Sequence, residues 1–371
     1  YKRQVRYCVL RLRLQHPRWG PNRILAGLRK RRSLLGLSLP SEASIGRYLH
    51  QWSRFRRPNK KRVGTKRPYQ PTRVHQRWQL DFKMGIALQD GTLVNLHTVR
   101  DPVGAACIGA FVFPAGRVGQ KPKSVTLEQV QSVLRACFAR WNTLPEEVQT
   151  DGESILIGRR EDPFPSKFSL WLKGLGIEHL VIRLGRPTDN AEVERCHRTV
   201  NDYAIVGNEK ANVGQLQQIL DQAVYELNWE LVSQAKGCQQ RPPVMAHPEL
   251  LQPRRPFQAE HELALFDLNR VDAYLTTFTW ERKASVTGQI YLGARRYTVG
   301  SSYARHQILI RFSAEDRQLV FYDAASPEEK INRRPIQGAD VMDLTGLAEL
   351  PAGLVHQQLP LPWITPEGAH C

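Results

Sequence analysis

The chain has 371 residues, 41% of them hydrophobic, with 53 Lys and Arg against 35 Asp and Glu. That length exceeds one ordinary core and implies two or three domains. No run approaches the roughly 20 apolar residues that span a bilayer, and nothing at the start resembles a signal peptide, so a cytoplasmic or nucleoid-associated protein with no membrane partner is expected.

The first residue is Tyr1 rather than a methionine, and the chain therefore reads as part of a longer product. Six scattered cysteines without a CxxC pair argue against a zinc ribbon or a disulfide framework and read as reduced thiols. The charge is localised. Residues 1–77 hold 22 Lys and Arg and one acid, Glu42, a net +21, whereas the remaining 294 residues carry a net −3. A polyanion is the natural partner of such an end, because each phosphate neutralised by Lys or Arg releases condensed counterions.

In chain order, the stripe Val5, Cys8, Val9, Leu12 predicts a first helix ending at His16-Pro17. A second starts after Gly20-Pro21 and buries Ile24, Leu25 and Leu28. A third follows Leu39-Pro40-Ser41 with Ile45, Tyr48, Leu49 and Trp52 inside. Three such helices over residues 1–57, the last basic on its free face, suit a helix-turn-helix DNA reader as well as an anonymous three-helix bundle; the charge favours DNA. Arg47, Gln51 and Arg54 are the expected end-recognition residues. Residues 58–77 read as a basic linker that tracks a phosphate backbone, and with its approach supply Arg56, Arg57, Lys60, Lys61, Arg62, Lys66 and Arg67 as DNA contacts.

From Trp78 the texture alternates, with Trp78, Leu80, Phe82, Met84, Ile86 and Leu88 on one face and Gln79, Asp81 and Lys83 on the other. A hairpin at Gln89–Thr92 leads to strands over 93–100 and 106–113. A helix over 124–141, a strand over 147–150 ending at Asp151-Gly152, a helical patch over 168–173, a strand over 178–184, a helix beginning near Asp189 and another over 213–231 complete an α/β fold with a mixed sheet over 78–232. Residues 233–279 read as a connector with one or two short helices, 280–323 as a small β-barrel, and 324–371 as an extended tail.

Three carboxylates carry the chemical argument: Asp81 within the first strand, Asp151 at the end of the fourth, and Glu194 on the helix beginning near Asp189. Each alone also fits a structural role: Asp81 on a solvated strand face, Asp151 in a turn before Gly152, Glu194 paired with Arg198 at i,i+4. As a set, brought together by the fold, they suit divalent cations. Magnesium is a hard ion that takes carboxylates, waters and substrate phosphate, and two such ions serve in-line phosphodiester displacement.

The blocks WQLDF, VQTDGE and RPTDNAEVERCHRTVN resemble the three signature blocks of the retroviral-integrase superfamily, and most closely those of bacterial insertion-sequence DDE transposases. The glutamate block of that family, Pro-x-x-Asn-Gly/Ala-x-x-Glu-Arg-x-x-Arg, is matched by Pro187, Asn190, Ala191, Glu194, Arg195 and Arg198, a register that selects Glu194 over Glu192 and makes Asp189 and Asn190 cap and turn residues. The second block departs from the family in lacking Asn after Asp151. The interval from Asp151 to Glu194 is also longer than usual, with Gly158–Ser166 as the expected inserted loop. The His/Cys zinc module of the retroviral enzymes is missing.

The resemblance covers residues 78–205. It implies an RNase H-like catalytic core behind an N-terminal helix-turn-helix and before a C-terminal small β-barrel. It further implies Asp81, Asp151 and Glu194 as both catalytic residues and ligands of two Mg²⁺ ions, replaceable by Mn²⁺, with Lys83, Arg195, His197 and Arg198 on the DNA phosphates. The implied activity is nicking at the ends of a mobile element followed by joining of the 3′-hydroxyls to target DNA. Partners would be DNA, a second copy of the chain in a dimer or tetramer, and a separate ATPase target selector. An RNase H-like nuclease or resolvase, and a catalytically inactive DNA-binding regulator, are the alternatives.

Overall fold

The computed structural model describes residues 2–31, 36, 38–52, 70–158, 161–182, 190–209 and 211–347. The chain divides into two compact units that it enters alternately: Tyr1–Ser124 with Thr188–Gln252, and Val125–Pro187 with Pro253–Cys371. The architecture is mixed α/β, with three antiparallel strands in the first unit and a parallel pair in the second.

The first unit opens with helices α1 (Lys2–Gln15), α2 (Pro21–Arg29) and α3 (Glu42–Trp52). Their shared core is Val5, Cys8, Val9, Leu12, Ile24, Leu28 and Ile45, the apolar stripes read from the sequence. Ser41 closes the start of α3, its hydroxyl accepting the Ser44 N–H at 3.2 Å. The end of the expected linker is not free. His75, fully buried, donates its backbone N–H to Asp101 at 2.6 Å, and its Nε2 lies 2.8 Å from the Leu250 carbonyl oxygen. A buried carboxylate needs such donors, and here they anchor the entry to the first strand.

Strands β1 (Arg77–Ala87), β2 (Thr92–Asp101) and β3 (Ala106–Arg117) form an antiparallel meander. The β1–β2 turn is closed by Asp90, whose carboxylate accepts the Thr92 N–H at 2.8 Å, with Gly91 at φ +82. Met84, expected inside, is 49% exposed. The pairing register slips between Lys83 and Ile86, where Gly85 sits at φ +71, and this bulge ends the strict alternation.

In the second unit, α4 (Leu127–Arg140) starts from a capping box of Thr126 and Gln129. Then come β4 (Glu147–Thr150), α5 (Ser154–Ile157), α6 (Lys167–Gly174) and β5 (Glu178–Val181), with β5 parallel to β4. The expected continuation of β5 to residue 184 runs into 183–189, outside the described residues.

The chain returns to the first unit with α7 (Ala191–Val200), which passes straight into a π-helical turn over Asn201–Ile205, and then α8 (Val213–Trp229). Cys196, Val200, Leu216, Leu220 and Val224 from these helices pack on Val94, Leu96, Ala110 and Val112 of the meander.

The rest of the second unit departs from expectation in two places. The connector is well packed: Phe257, Phe266, Val271 and Leu275 are buried, and Glu262, 1% exposed, accepts from Arg135 Nε at 2.6 Å and from Trp171 Nε1 at 3.0 Å. The tail is also structured in part. Strands β6 (Thr279–Lys283), β7 (Gln289–Leu292), β8 (Arg295–Thr298), β9 (Gln307–Ser313), β10 (Gln318–Asp323) and β11 (Ser326–Pro335) form a four-stranded sheet, β11-β10-β9-β6, and a separate β7–β8 hairpin. β11 lies in the stretch read as an extended tail. Its sequence, SPEEKINRRP, is polar because it is an edge strand exposed almost throughout, held by backbone pairing to β10. No described helix is long and apolar enough to cross a membrane.

Candidate active site

The sequence block around Glu194 becomes α7, whose amphipathic pattern buries Val193, Cys196, His197 and Val200 and leaves Glu194, Arg195 and Arg198 exposed. Asn190 takes the cap position, buried and without a side-chain capping bond; Asp189 lies outside the described residues. An orphan N–H at the start of α7 is instead met from the sheet: Val193 donates to Gln79 Oε1 at 3.2 Å. Gln79 stands two residues before Asp81 on β1, so this bond sets the glutamate helix against the aspartate strand. Two acids in the first turn, Glu192 and Glu194, complement the helix dipole.

Asp81 and Glu194 line one cavity of about 700 Å³, together with Lys83, His197 and Arg198. Glu192 is engaged elsewhere, 3.0 Å from Arg195 and 3.8 Å from Arg100. No ion pair joins Glu194 to Arg198 among the described residues, so the i,i+4 pairing that would have explained Glu194 cheaply is not formed. Asp81 has a side chain 20% exposed, and its Oδ2 lies 3.6 Å from His197 Nδ1. Burial, reinforced by the charge of Lys83, pulls His197 down to about 4, which leaves a neutral imidazole behind the carboxylate at neutral pH. Lys83 donates to Asn201 Oδ1 at 2.9 Å.

Four further lining residues were not singled out in the sequence. Arg13 comes from α1, Arg18 from the turn between α1 and α2, and Asn201 and Asp202 from the π-helical turn. Arg18 pairs with Asp202 at 2.8 Å. For Asn201 and Asp202 a signal was present, since they lie seven and eight residues beyond Glu194, on the same helical face. Nothing local marks Arg13 or Arg18 among so many arginines.

Asp151 belongs to the second unit and does not line this cavity. It follows β4, half-buried, and its Oδ1 accepts the Glu153 N–H at 3.2 Å; burial pushes its carboxyl above the usual range. Glu153 is raised likewise, by burial and then by the charge of Asp151. The preceding Thr150 contacts His179 Nε2 at 2.8 Å, and His179 Nδ1 lies 2.7 Å from Ser169 Oγ, which fixes the end of β4 on α6. In the described part of the insertion after α5, Asp162 accepts from Gly293 N at 3.1 Å, Ala294 N at 2.8 Å and Arg282 at 3.2 Å.

Among the described residues no group of three or more His, Cys, Asp or Glu side chains is arranged to hold a metal ion. The carboxylates on the one cavity are Asp81, Glu194 and Asp202, the last of them paired with Arg18. Arg47 is exposed on α3, with Nη2 3.1 Å from Ser44 Oγ, and Gln51 lies in the last turn of that helix. Arg54, Arg56, Arg57, Lys60, Lys61, Arg62, Lys66 and Arg67 lie outside the described residues.

No protein-family model and no curated protein matches the chain. Solved structures similar to it include retroviral integrases. The catalytic core domain of BIV integrase shares 17% identity at a TM-score of 0.33, over 47% of this chain and 95% of that one. The HTLV-2 integrase catalytic core domain in complex with magnesium, in its trimeric form, shares 16% at 0.34, over 48% and 99%. The simian T-cell lymphotropic virus intasome in complex with the PP2A regulatory subunit B56 gamma shares 16% at 0.38, over 81% and 92%.

Proposed function

We propose that the chain is a DDE transposase of bacterial insertion-sequence type with an RNase H-like core, which nicks the ends of a mobile element and joins the freed 3′-hydroxyls to target DNA. The observation that carries the reading is the placement of Asp81 and Glu194, two blocks distant in sequence, on one cavity rimmed by Lys83, Arg198 and Arg18. Carboxylates and cations together suit a phosphodiester held beside a divalent ion: the acids offset metal charge and the bases offset phosphate charge.

Asp81 and Glu194 fit Mg²⁺, or Mn²⁺ in its place, as an ion that takes one or two protein carboxylates and completes its shell with water and phosphate. When bound, such ions activate an attacking oxygen and stabilise the leaving one. Asp151 is proposed as the third carboxylate on the strength of its sequence block. Lys83, steadied by Asn201, and Arg198, without an ion pair among the described residues, would hold the flanking phosphates. Arg195 is proposed to contact DNA at the rim, and His197 backs Asp81 as a neutral ring. The three N-terminal helices would read the element ends through Arg47, Gln51 and Arg54, with Arg56, Arg57, Lys60, Lys61, Arg62, Lys66 and Arg67 tracking the backbone. Assembly on two ends requires two active sites, hence a dimer or tetramer on DNA. A separate ATPase that selects the target is the remaining proposed partner, and the nucleoid the proposed location.

A catalytically inactive DNA-binding regulator is the second reading, favoured by the lack of a three-ligand metal group among the described residues. Incubation with labelled element ends, plasmid and Mg²⁺ separates the readings. Joined products are expected, abolished in Asp81→Asn and Glu194→Gln with end binding intact. Cleavage without joining would establish a nuclease, and binding alone the regulator.

A further inference from the structure

A second cavity in the first unit, of about 610 Å³, is lined by Arg18, Arg23, Arg100, Arg195 and Arg198 beside the start of α2. It shares Arg18, Arg198 and Asp202 with the carboxylate cavity, so one wall serves both.

Its floor is unusual in charge. Arg100, 8% exposed, has a buried Nε with no hydrogen-bond partner among the described residues; its remaining neighbours are Glu192, 3.8 Å from Nη2, and the Cys196 thiol. A buried guanidinium with one donor unused and its nearest carboxylate beyond hydrogen-bond distance is stabilised by an anion that can accept from it. Arg23 lies over the Tyr203 ring at 5.2 Å, half-buried, and Arg198 is exposed with no ion pair among the described residues. The two acids of the cavity offset only part of the charge of its five arginines: Asp202 pairs with Arg18 at 2.8 Å and also acts on Arg23, and Glu42 is exposed. The cap residue of α2, Gly20, supplies no side-chain acceptor and Pro21 has no N–H, so the N–H groups of Asn22 and Arg23 are the ones that add to the positive potential.

We infer that this cavity is a subsite for a backbone phosphate of the strand whose neighbouring phosphodiester occupies the carboxylate cavity, held by Arg23, Arg100 and Arg198. The inference rests on the nucleic-acid reading above and adds to it a place where α2 and β2, elements outside the signature blocks, grip the strand. Continuity through Arg18 and Arg198 favours a strand over a free phosphate ion.

The test is anisotropy of a labelled short single-stranded oligonucleotide on the full chain across a salt series, for the wild type, Arg23→Gln and Arg100→Lys. Arg100→Lys retains the buried charge and loses the fork, and melting curves check that both variants fold. Arg23→Gln is expected to bind about tenfold more weakly, with the slope of log K against log salt reduced by about 0.7, the loss of one phosphate contact on a single strand. Arg100→Lys is expected to weaken binding in the same direction. Unchanged affinity and slope in both folded variants, with the wild type binding, would overturn the subsite and leave the nucleic-acid reading standing. Orthophosphate bound at Arg23 and Arg100 by a chain that ignores the oligonucleotide would overturn the strand assignment and that reading together.

Discussion

Replacing Gln79 by Ala should separate the glutamate helix from the aspartate strand. Gln79 is 4% exposed, and its Oε1 accepts the N–H of Val193, a fully buried residue in the first turn of α7. Truncation leaves that N–H without partner or water, a loss of about 1–3 kcal/mol. For a folded unit of this size each kcal/mol lowers the midpoint by roughly 2–4 °C, so the first transition should fall by about 2–12 °C. Function should suffer beyond stability, because an ångström of drift at Glu194 relative to Asp81 is costly to catalysis. Joining activity of Gln79→Ala, assayed well below its midpoint, should drop by at least about tenfold with end binding retained. Gln79→Glu keeps an acceptor and suits the positive end of the helix, so it should recover most of the loss. A Gln79→Ala protein that melts with the wild type and joins DNA at its rate would refute the tie.

Two further outcomes concern stability. Glu262→Ala strands Arg135 and the Trp171 N–H in the interior of the second unit and should cost about 3–5 kcal/mol in urea unfolding, far more than an ordinary connector residue would. Glu226, on α8, accepts from Lys30, Tyr203 and Gln222, and Lys30 also reaches Glu230 at 3.0 Å. Burial raises the Glu226 carboxyl, but those hydrogen bonds outweigh it and hold the group below the usual glutamate range. A depressed folded value contributes stability above the unfolded value, about 4.3, that is lost as pH falls through the folded one. Melting of the wild type should therefore decline more steeply below about pH 4.5 than that of Glu226→Gln.

Much of the site could be read from the sequence, for identifiable reasons. The face of Asp81 and Lys83 follows from strand periodicity, a local rule that survives tertiary packing, whereas Glu194 and Arg198 were picked out by the resemblance of their block, which chose Glu194 over Glu192. The core stripes of α1 and α2 were legible from periodicity. Arg18 was not, because its role depends on Asp202, 184 residues away, and no local pattern distinguishes it among its neighbours. β11 escaped because an exposed edge strand needs no apolar alternation. The connector escaped because Phe257, Phe266 and Leu275 stand nine residues apart on separate segments, too far apart to mark the face of one strand or helix. Met84 was misplaced by a bulge that only the positive φ of Gly85 reveals.

Crystals soaked in Mn²⁺ test the central claim most directly. Anomalous density coordinated by the carboxylate oxygens of Asp81 and Glu194, lost in Asp81→Asn, is the predicted result. Density elsewhere on the chain, with those two carboxylates bare at saturating Mn²⁺, would contradict it.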